Sequence, residues 1–218
     1  MSSVADETRA RLLKVAGPLF AQHGFRDTGV KTICDAADCN VAAVNYHFHS
    51  KQDFYGAVLA EAHQNAFAMR PMPRASVGTP AAALTAWLSW WMESMLHPGR
   101  PEWLQTLMAR EMAFPTPALD QMVKRSIRPI YNELTAIVRR LLPRGSRLTV
   151  VRDCVHSVIG QVLVYKHAAP VLLRLSAMPT YQRGGLARLV ANVVTFSLAG
   201  IAAIAAQKPS SRSKKIRR

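Results

Sequence analysis

The segment from Thr28 to Asp53, TGVKTICDAADCNVAAVNYHFHSKQD, constrains the fold more than any other stretch of the chain. It reads as two short amphipathic helices with only Asp38, Cys39 and Asn40 left to turn between them. On the first helix Ile33 and Ala37 lie four apart; on the second Val41, Val44 and Phe48 follow spacings of three and four. Positions three and four apart share a helix face, so these residues predict one small core. Ala37 is small where two helices must cross closely. This arrangement is a helix-turn-helix.

The rest of the chain is punctuated in the same helical manner. Expected helices are 7–24, 31–37, 41–48, 51–68, 80–96, 101–114, 117–142, 149–175 and 180–206, so the predicted class is all-α with nine helices. Gly24 is a natural C-terminal stop, Thr28 a candidate N-cap, and Ser50 an N-cap with Asp53 in the first turn. Pro129 and Pro170 fall inside apolar runs and predict bends there. The Pro/Gly/Ser-rich stretch RPMPRASVGT at 70–79 is the best boundary. It divides the chain into a helix-turn-helix domain at 7–68, a second helical domain at 79–206 and a basic tail at 207–218 that is too polar to pack.

With 218 residues, half of them hydrophobic, a sizeable core is available. The formal net charge is +15 and is unevenly spread. Residues 1–65 carry 6 Lys/Arg against 7 Asp/Glu, residues 66–206 carry 16 against 6, and the tail adds 6 with no acid. Charge alone would put a polyanion on the C-terminal part. The helix-turn-helix places specific recognition on the near-neutral N-terminal part, with the basic remainder free to add sequence-independent attraction. Cys34, Cys39 and Cys154 are an odd count without framework spacing, which fits a reduced intracellular protein. Buried cysteines usually act as small hydrophobes; a redox-sensing Cys34–Cys39 pair is the alternative. Met1 to Glu7 has no basic stretch followed by an apolar run, so no secretory leader is expected.

The second short helix turns Ala42, Ala43, Asn45, Tyr46 and His47 outward. Small residues at a leading edge permit close approach to a DNA major groove, and alanine methyls can touch a thymine methyl. Asn45 can pair with an adenine edge. Asn40 sits at a helix start, where free amides favour phosphate; Tyr46 and His47 can donate to phosphate, and Lys31 and Lys51 supply cations. Helix pairs of this kind also occur in proteins that never bind DNA, with Tyr46 and Phe48 as core aromatics.

FAQHGF at 20–25, Thr28, Ile33 to Ala37 and above all NVAAVNYHFHSK at 40–51 resemble the N-terminal domain of TetR-type regulators. REMAFPTPALDQMVKRSIRPIYNEL at 110–134 and FSLAGI at 196–201 resemble the C-terminal domain of the CecR-like subgroup. The resemblance implies a homodimer, palindromic operator DNA, and a small-molecule effector held in the C-terminal domain. It implies a cytoplasmic, nucleoid-associated, ligand-responsive regulator, a repressor released by its effector. Thr28, Asn45, His47 and Lys51 fall where the family contacts DNA, with Tyr46 beside them and Asn40, Ala42 and Ala43 along the leading edge. The dimer, built on the last two helices, would use Val158, Val162, Asn192, Phe196, Ala199, Gly200 and Ala203. Two positions depart from the family: Asp38 stands where Gly is usual, and His49 where Gly or Lys is usual.

Candidate effector contacts are Trp87, Trp91, Met95, Trp103, Met108 and Met112, since Met and Trp fill irregular apolar space. Gln161 and Tyr165, four apart, would add orienting polar groups. Each apolar one of these is equally an ordinary core residue. Arg110 and Glu111 are a candidate structural ion pair. No phosphate loop, nucleophile elbow, zinc signature or Cys/His ligand spacing is present, so no enzyme activity, cofactor or metal is expected. A membrane span at 189–206 is the competing reading of the last helix: it is apolar and followed by basic residues, but Asn192, Thr195 and Ser197 interrupt it.

Overall fold

The computed structural model describes residues 4–67, 71–96, 101–176 and 184–207. All regular structure there is helical: α1 Val4–Asp27, α2 Val30–Ala36, α3 Val41–Phe48, α4 Lys51–Phe67, α5 Pro80–Leu96, α6 Glu102–Ala113, α7 Pro117–Met122, α8 Arg128–Leu141, α9 Leu148–His167, α10 Ala169–Arg174 and α11 Gly185–Ala205. The tail from 208 onward, where disorder was expected, lies outside the described residues.

Both expected proline breaks form. A π-helical turn, Val123–Ile127, joins α7 to α8 two residues before Pro129. Proline lacks an N–H and its ring crowds the carbonyl four residues earlier, so the helix widens ahead of it. The long helix expected over 149–175 stops at His167, and α10 restarts with Pro170 in its first turn, where proline is tolerated. Gly24, at φ 82°, breaks α1 as expected, although three more helical residues follow it.

The described residues form two compact units, one of residues 4–67, 71 and 101–131, the other of 72–96, 132–176 and 184–207. In the first, α1 packs on α2, α3, α4 and α6, and α4 on α7. Leu12, Ala16 and Phe20 of α1 meet Ile33, Val44, Phe48, Phe54, Leu59, Leu107 and Met122 in one core. Packing thus departs from the expected division: residues 101–131, assigned by sequence to the second domain, join the N-terminal helices. The reason is visible at Gly17 of α1, where a Cβ would lie 2.6 Å from ring carbons of Trp103 in α6. Glycine lets the two helices close to indole contact.

In the second unit α5, α9 and α11 pack against one another. Their buried stripes are Leu84, Trp87, Leu88 and Met92; Val151, Cys154, Val155, Val158 and Val162; and Leu189, Val190, Val193, Val194 and Ile201. α9 and α11 are long and apolar enough to cross a membrane by length and composition. Each nonetheless buries one stripe in this core and exposes Arg152, Asp153 and His156 or Arg188, Asn192 and Thr195 on the other side, the pattern of bundle helices. Glu133 anchors the start of the unit: it accepts from the Ala75 amide at 2.8 Å and from Arg74. Arg140 ties the same connection by donating to the carbonyls of Ala75 and Gly78.

Candidate nucleic-acid interface

Three local devices build the helix-turn-helix. The first closes α2: the Cys39 amide donates to the Cys34 carbonyl at 3.0 Å and Asp38 to Asp35 at 3.4 Å, with Asp38 left-handed at φ 47°. This is the paired pattern of a Schellman cap, usually completed by glycine; aspartate tolerates that backbone better than most residues. The second starts α3: the Asn40 side chain accepts from the Ala42 amide. The third starts α4: Ser50 Oγ accepts from the Asp53 amide at 3.0 Å and donates to its carboxylate at 2.6 Å, as the sequence predicts. From α1, Arg11 reaches across to donate to the Asp38 carbonyl at 3.2 Å. Nothing in the sequence pattern marks Arg11 for that task.

α3 is seated by one face and open on the other. Val44 and Phe48 are buried; the Phe48 ring stacks on Phe54 with centroids 4.4 Å apart and lies under the Arg9 guanidinium at 5.5 Å. Ala42, Asn45 and Tyr46 are exposed, Tyr46 by 74 %, while Ala43 and His47 are half-buried. The Tyr46 and His47 rings meet edge to face at 4.9 Å. Val41, expected in the core, is instead 42 % exposed, because it opens the helix ahead of the contact with α2. It adds an apolar group to the leading edge. His49 ends α3 at φ 64°, a backbone that glycine adopts without strain.

Two expected contact residues donate to backbone carbonyls of their own chain. Thr28 does not cap α2; that position is Gly29. Its side chain is buried, 2 % exposed, and its hydroxyl donates to the Gly24 carbonyl at 2.7 Å. The broken turn at Gly24 leaves that carbonyl without a helical partner, and Thr28 satisfies it. Lys51 donates to the Arg26 carbonyl at 3.0 Å and sits 5.0 Å over the Phe25 ring. Its charge stabilises the C-terminal end of α1, where a cation is favoured. Lys31 is exposed at the start of α2, and Asn40 is exposed while its amide oxygen caps α3.

Residues 12–58 match the family model for bacterial regulatory proteins of the tetR family, and residues 80–201 match the model for the C-terminal domain of the HTH-type transcriptional dual regulator CecR. The chain belongs to the TetR family. Among curated relatives, this TetR-family chain is 29 % identical over 68 residues to the transcriptional regulator UidR of Escherichia coli, covering 31 % of this chain and 35 % of UidR. The chain therefore aligns with about a third of that relative's length. To the dual regulator CecR of Shigella flexneri it is 24 % identical over 187 residues, 79 % of this chain and 82 % of CecR. The solved SmeT–triclosan complex shares the fold, with a TM-score of 0.63 at 19 % identity, over 97 % of this chain and all of that one.

The residues expected around an effector divide between the two units of this TetR-family fold. Trp103, Met108 and Met112 belong to the first: Trp103 and Met108 pack against its core, and Met112 is exposed. Trp87, Trp91, Met95, Gln161 and Tyr165 belong to the second. There the Trp87 and Trp91 rings lie 5.0 Å apart, on one face as predicted. Trp87 is 1 % exposed and its indole N–H has no acceptor. Gln161 is already engaged, donating to Ser197 Oγ at 3.0 Å.

Arg110 and Glu111 do not pair. Arg110 donates to the Gln22 carbonyl at 3.0 Å. Glu111 is fully buried and accepts from Tyr55 Oη at 2.9 Å, the Thr116 amide at 2.8 Å and Thr116 Oγ1 at 2.9 Å. Burial, then the bond and charge of Glu111, push the Tyr55 phenol well above its usual value. On α11, the expected dimer residues Asn192, Phe196, Ala199, Gly200 and Ala203 are all exposed, Phe196 by 69 %. Val158 and Val162 are not on such a face: both are buried inside their own unit, so they have no surface left to offer a partner.

Proposed function

We propose that this chain is a ligand-responsive, sequence-specific DNA-binding regulator acting as a homodimer, and that it represses until a small-molecule effector releases it. The observation that carries the reading is the two-sidedness of α3: Val44 and Phe48 anchor it while Asn45 and Tyr46 stand free. A helix presented this way fits the major groove, with Asn45 for a base edge, Tyr46 and His47 for phosphate, and Val41, Ala42 and Ala43 for thymine methyls. The second unit would dimerise through the exposed Asn192–Phe196–Ala199–Gly200–Ala203 face of α11, where small residues permit close helix approach.

The unpartnered Trp87 indole beside Trp91 supports effector binding in that unit. A buried donor without an acceptor carries a cost of about 1–3 kcal/mol, which a ligand acceptor would remove. Together with the basic balance of residues 72–96 and 132–206, 10 Lys/Arg against 3 Asp/Glu, this favours an aromatic effector, neutral or anionic, bearing a hydrogen-bond acceptor. The cytoplasm, with the nucleoid, is where such a protein would act.

Selection of duplexes from a random pool by the full-length protein tests the DNA half of the reading. A palindrome with half-sites about one helical turn or a multiple apart is expected. Recovery of no shared sequence would refute it. A thermal-shift screen of aromatic acids and neutral aromatics tests the effector half, with Trp87→Phe expected to weaken any hit.

A further inference from the structure

We propose that Cys34 and Cys39 form a dithiol–disulfide couple built into the turn between α2 and α3, a modification site whose oxidation displaces the start of α3. Both thiols are free. The geometry comes from the α2 cap. In a Schellman pair the residue three before the C-cap and the second residue after it are joined by a backbone bond, and an apolar contact between their side chains frequently accompanies it. With Ala37 as the C-cap, those two positions are Cys34 and Cys39, joined by the 3.0 Å backbone bond. This bond folds the backbone of Cys39 back onto that of Cys34, and a disulfide needs Cα atoms about 4.4–6.8 Å apart.

The two sulfurs differ in access. Cys34 is buried in the core of the first unit, and Cys39 is half-exposed at the turn. Burial, then the neighbouring Cys39, push the Cys34 thiol up to about 11, so it stays protonated near neutrality. Cys39 is therefore the sulfur that meets a low-molecular-weight disulfide first. Its thiolate attacks one sulfur of RSSR, forming Cys39–S–SR and releasing RS⁻, which takes up the proton Cys39 shed. The Cys34 sulfur then attacks Cys39 Sγ, expelling the second RS⁻, which leaves with the Cys34 proton. Two protein thiols lose two electrons; RSSR gains them and becomes two RSH.

Closure must draw the sulfurs to a bond of about 2.05 Å. Cys34 is locked in the core, so the turn moves. The left-handed Asp38, its carbonyl bond from Arg11 and the adjoining Asn40 cap absorb the shift, and Asn40 is the residue that starts α3. A loss of DNA affinity on oxidation rests on the function proposed above; disulfide formation does not.

The full-length protein is equilibrated across a series of reduced and oxidised glutathione ratios, trapped with maleimide and mapped by mass spectrometry. The expected product carries a Cys34–Cys39 link, about 2 Da lighter, with Cys154 still a thiol. Cys34→Ser should instead stop at a glutathione adduct on Cys39; Cys39→Ser, at the half-exposed position, should leave Cys34 unmodified. Three free thiols at the most oxidising ratio, a stable adduct on Cys39 in the unsubstituted protein, or a link between chains would overturn the site. Oxidised protein should bind duplexes selected by the reduced form at least about tenfold more weakly, and the Cys39→Ser variant should show no such loss. Unchanged affinity with the link in place would overturn the displacement of α3. Failure of the reduced protein to select any duplex would refute the DNA reading and leave the thiol map standing.

Discussion

Replacing Tyr55 by Phe removes one oxygen and leaves the ring, which packs edge to face on Phe20 at 4.9 Å, in place. The lost bond is the 2.9 Å contact to Glu111, a fully buried carboxylate that keeps only its two Thr116 donors. A hydrogen bond to a charged group contributes about 1.5–3 kcal/mol. For a chain of this size each kcal/mol moves the melting point by about 2–4 °C, so Tm should fall by roughly 3–12 °C. The pH dependence separates this bond from packing loss. The folded-state phenol is raised above its unfolded value of about 10, so its contribution is full below about pH 10 and is lost as the unfolded phenol ionises at higher pH. The stability difference between the parent and the Tyr55→Phe variant should therefore be flat from about pH 6 to 9 and shrink above about pH 10. Urea unfolding followed by circular dichroism at fixed pH values reads both quantities. A Tm within about 1 °C of the parent, or a difference that grows above about pH 10, would refute the bond between Tyr55 and Glu111.

Gly17→Ala places a methyl 2.6 Å from Trp103, and overpacking of this kind costs about 1–3 kcal/mol; a lowered urea midpoint should be seen, with tryptophan fluorescence reporting a displaced indole. Phe196→Arg puts a charge on the proposed dimer face of α11 without touching the core and should give folded monomers by sedimentation, whereas a persistent dimer would place the interface elsewhere.

The helices were legible because their signals are local. Proline at Pro80 and Pro117, Ser50 before Asp53, and Gly24 each act within one turn, and the breaks near Pro129 and Pro170 follow from a missing N–H and one clash. The exposed face of α3 was legible for the same reason, apart from Val41, whose burial depends on how far α2 reaches. What escaped the sequence is long-range. Trp103 packs on a helix 86 positions earlier only because residue 17 lacks a side chain, and a Met/Trp-rich composition does not reveal it. Glu111 finds Tyr55 and Thr116, not its neighbour Arg110, because adjacent helical residues point apart. Thr28 and Lys51, expected from the resemblance to contact DNA, each donate to a carbonyl near the end of α1, which no local pattern marks. Val158 and Val162 carry no mark that separates a core stripe from a dimer stripe on an apolar helix.

The most direct test is the affinity of the double variant Asn45→Ala/Tyr46→Ala for the duplex that the parent selects, measured by fluorescence anisotropy beside sedimentation and melting. Both side chains are exposed on α3, so the variant should keep its oligomeric state and Tm. A lost base-edge pairing is worth about 1–3 kcal/mol in each of two half-sites, so affinity should fall at least about tenfold. A variant that binds the same duplex as tightly as the parent would contradict α3 as the reading helix.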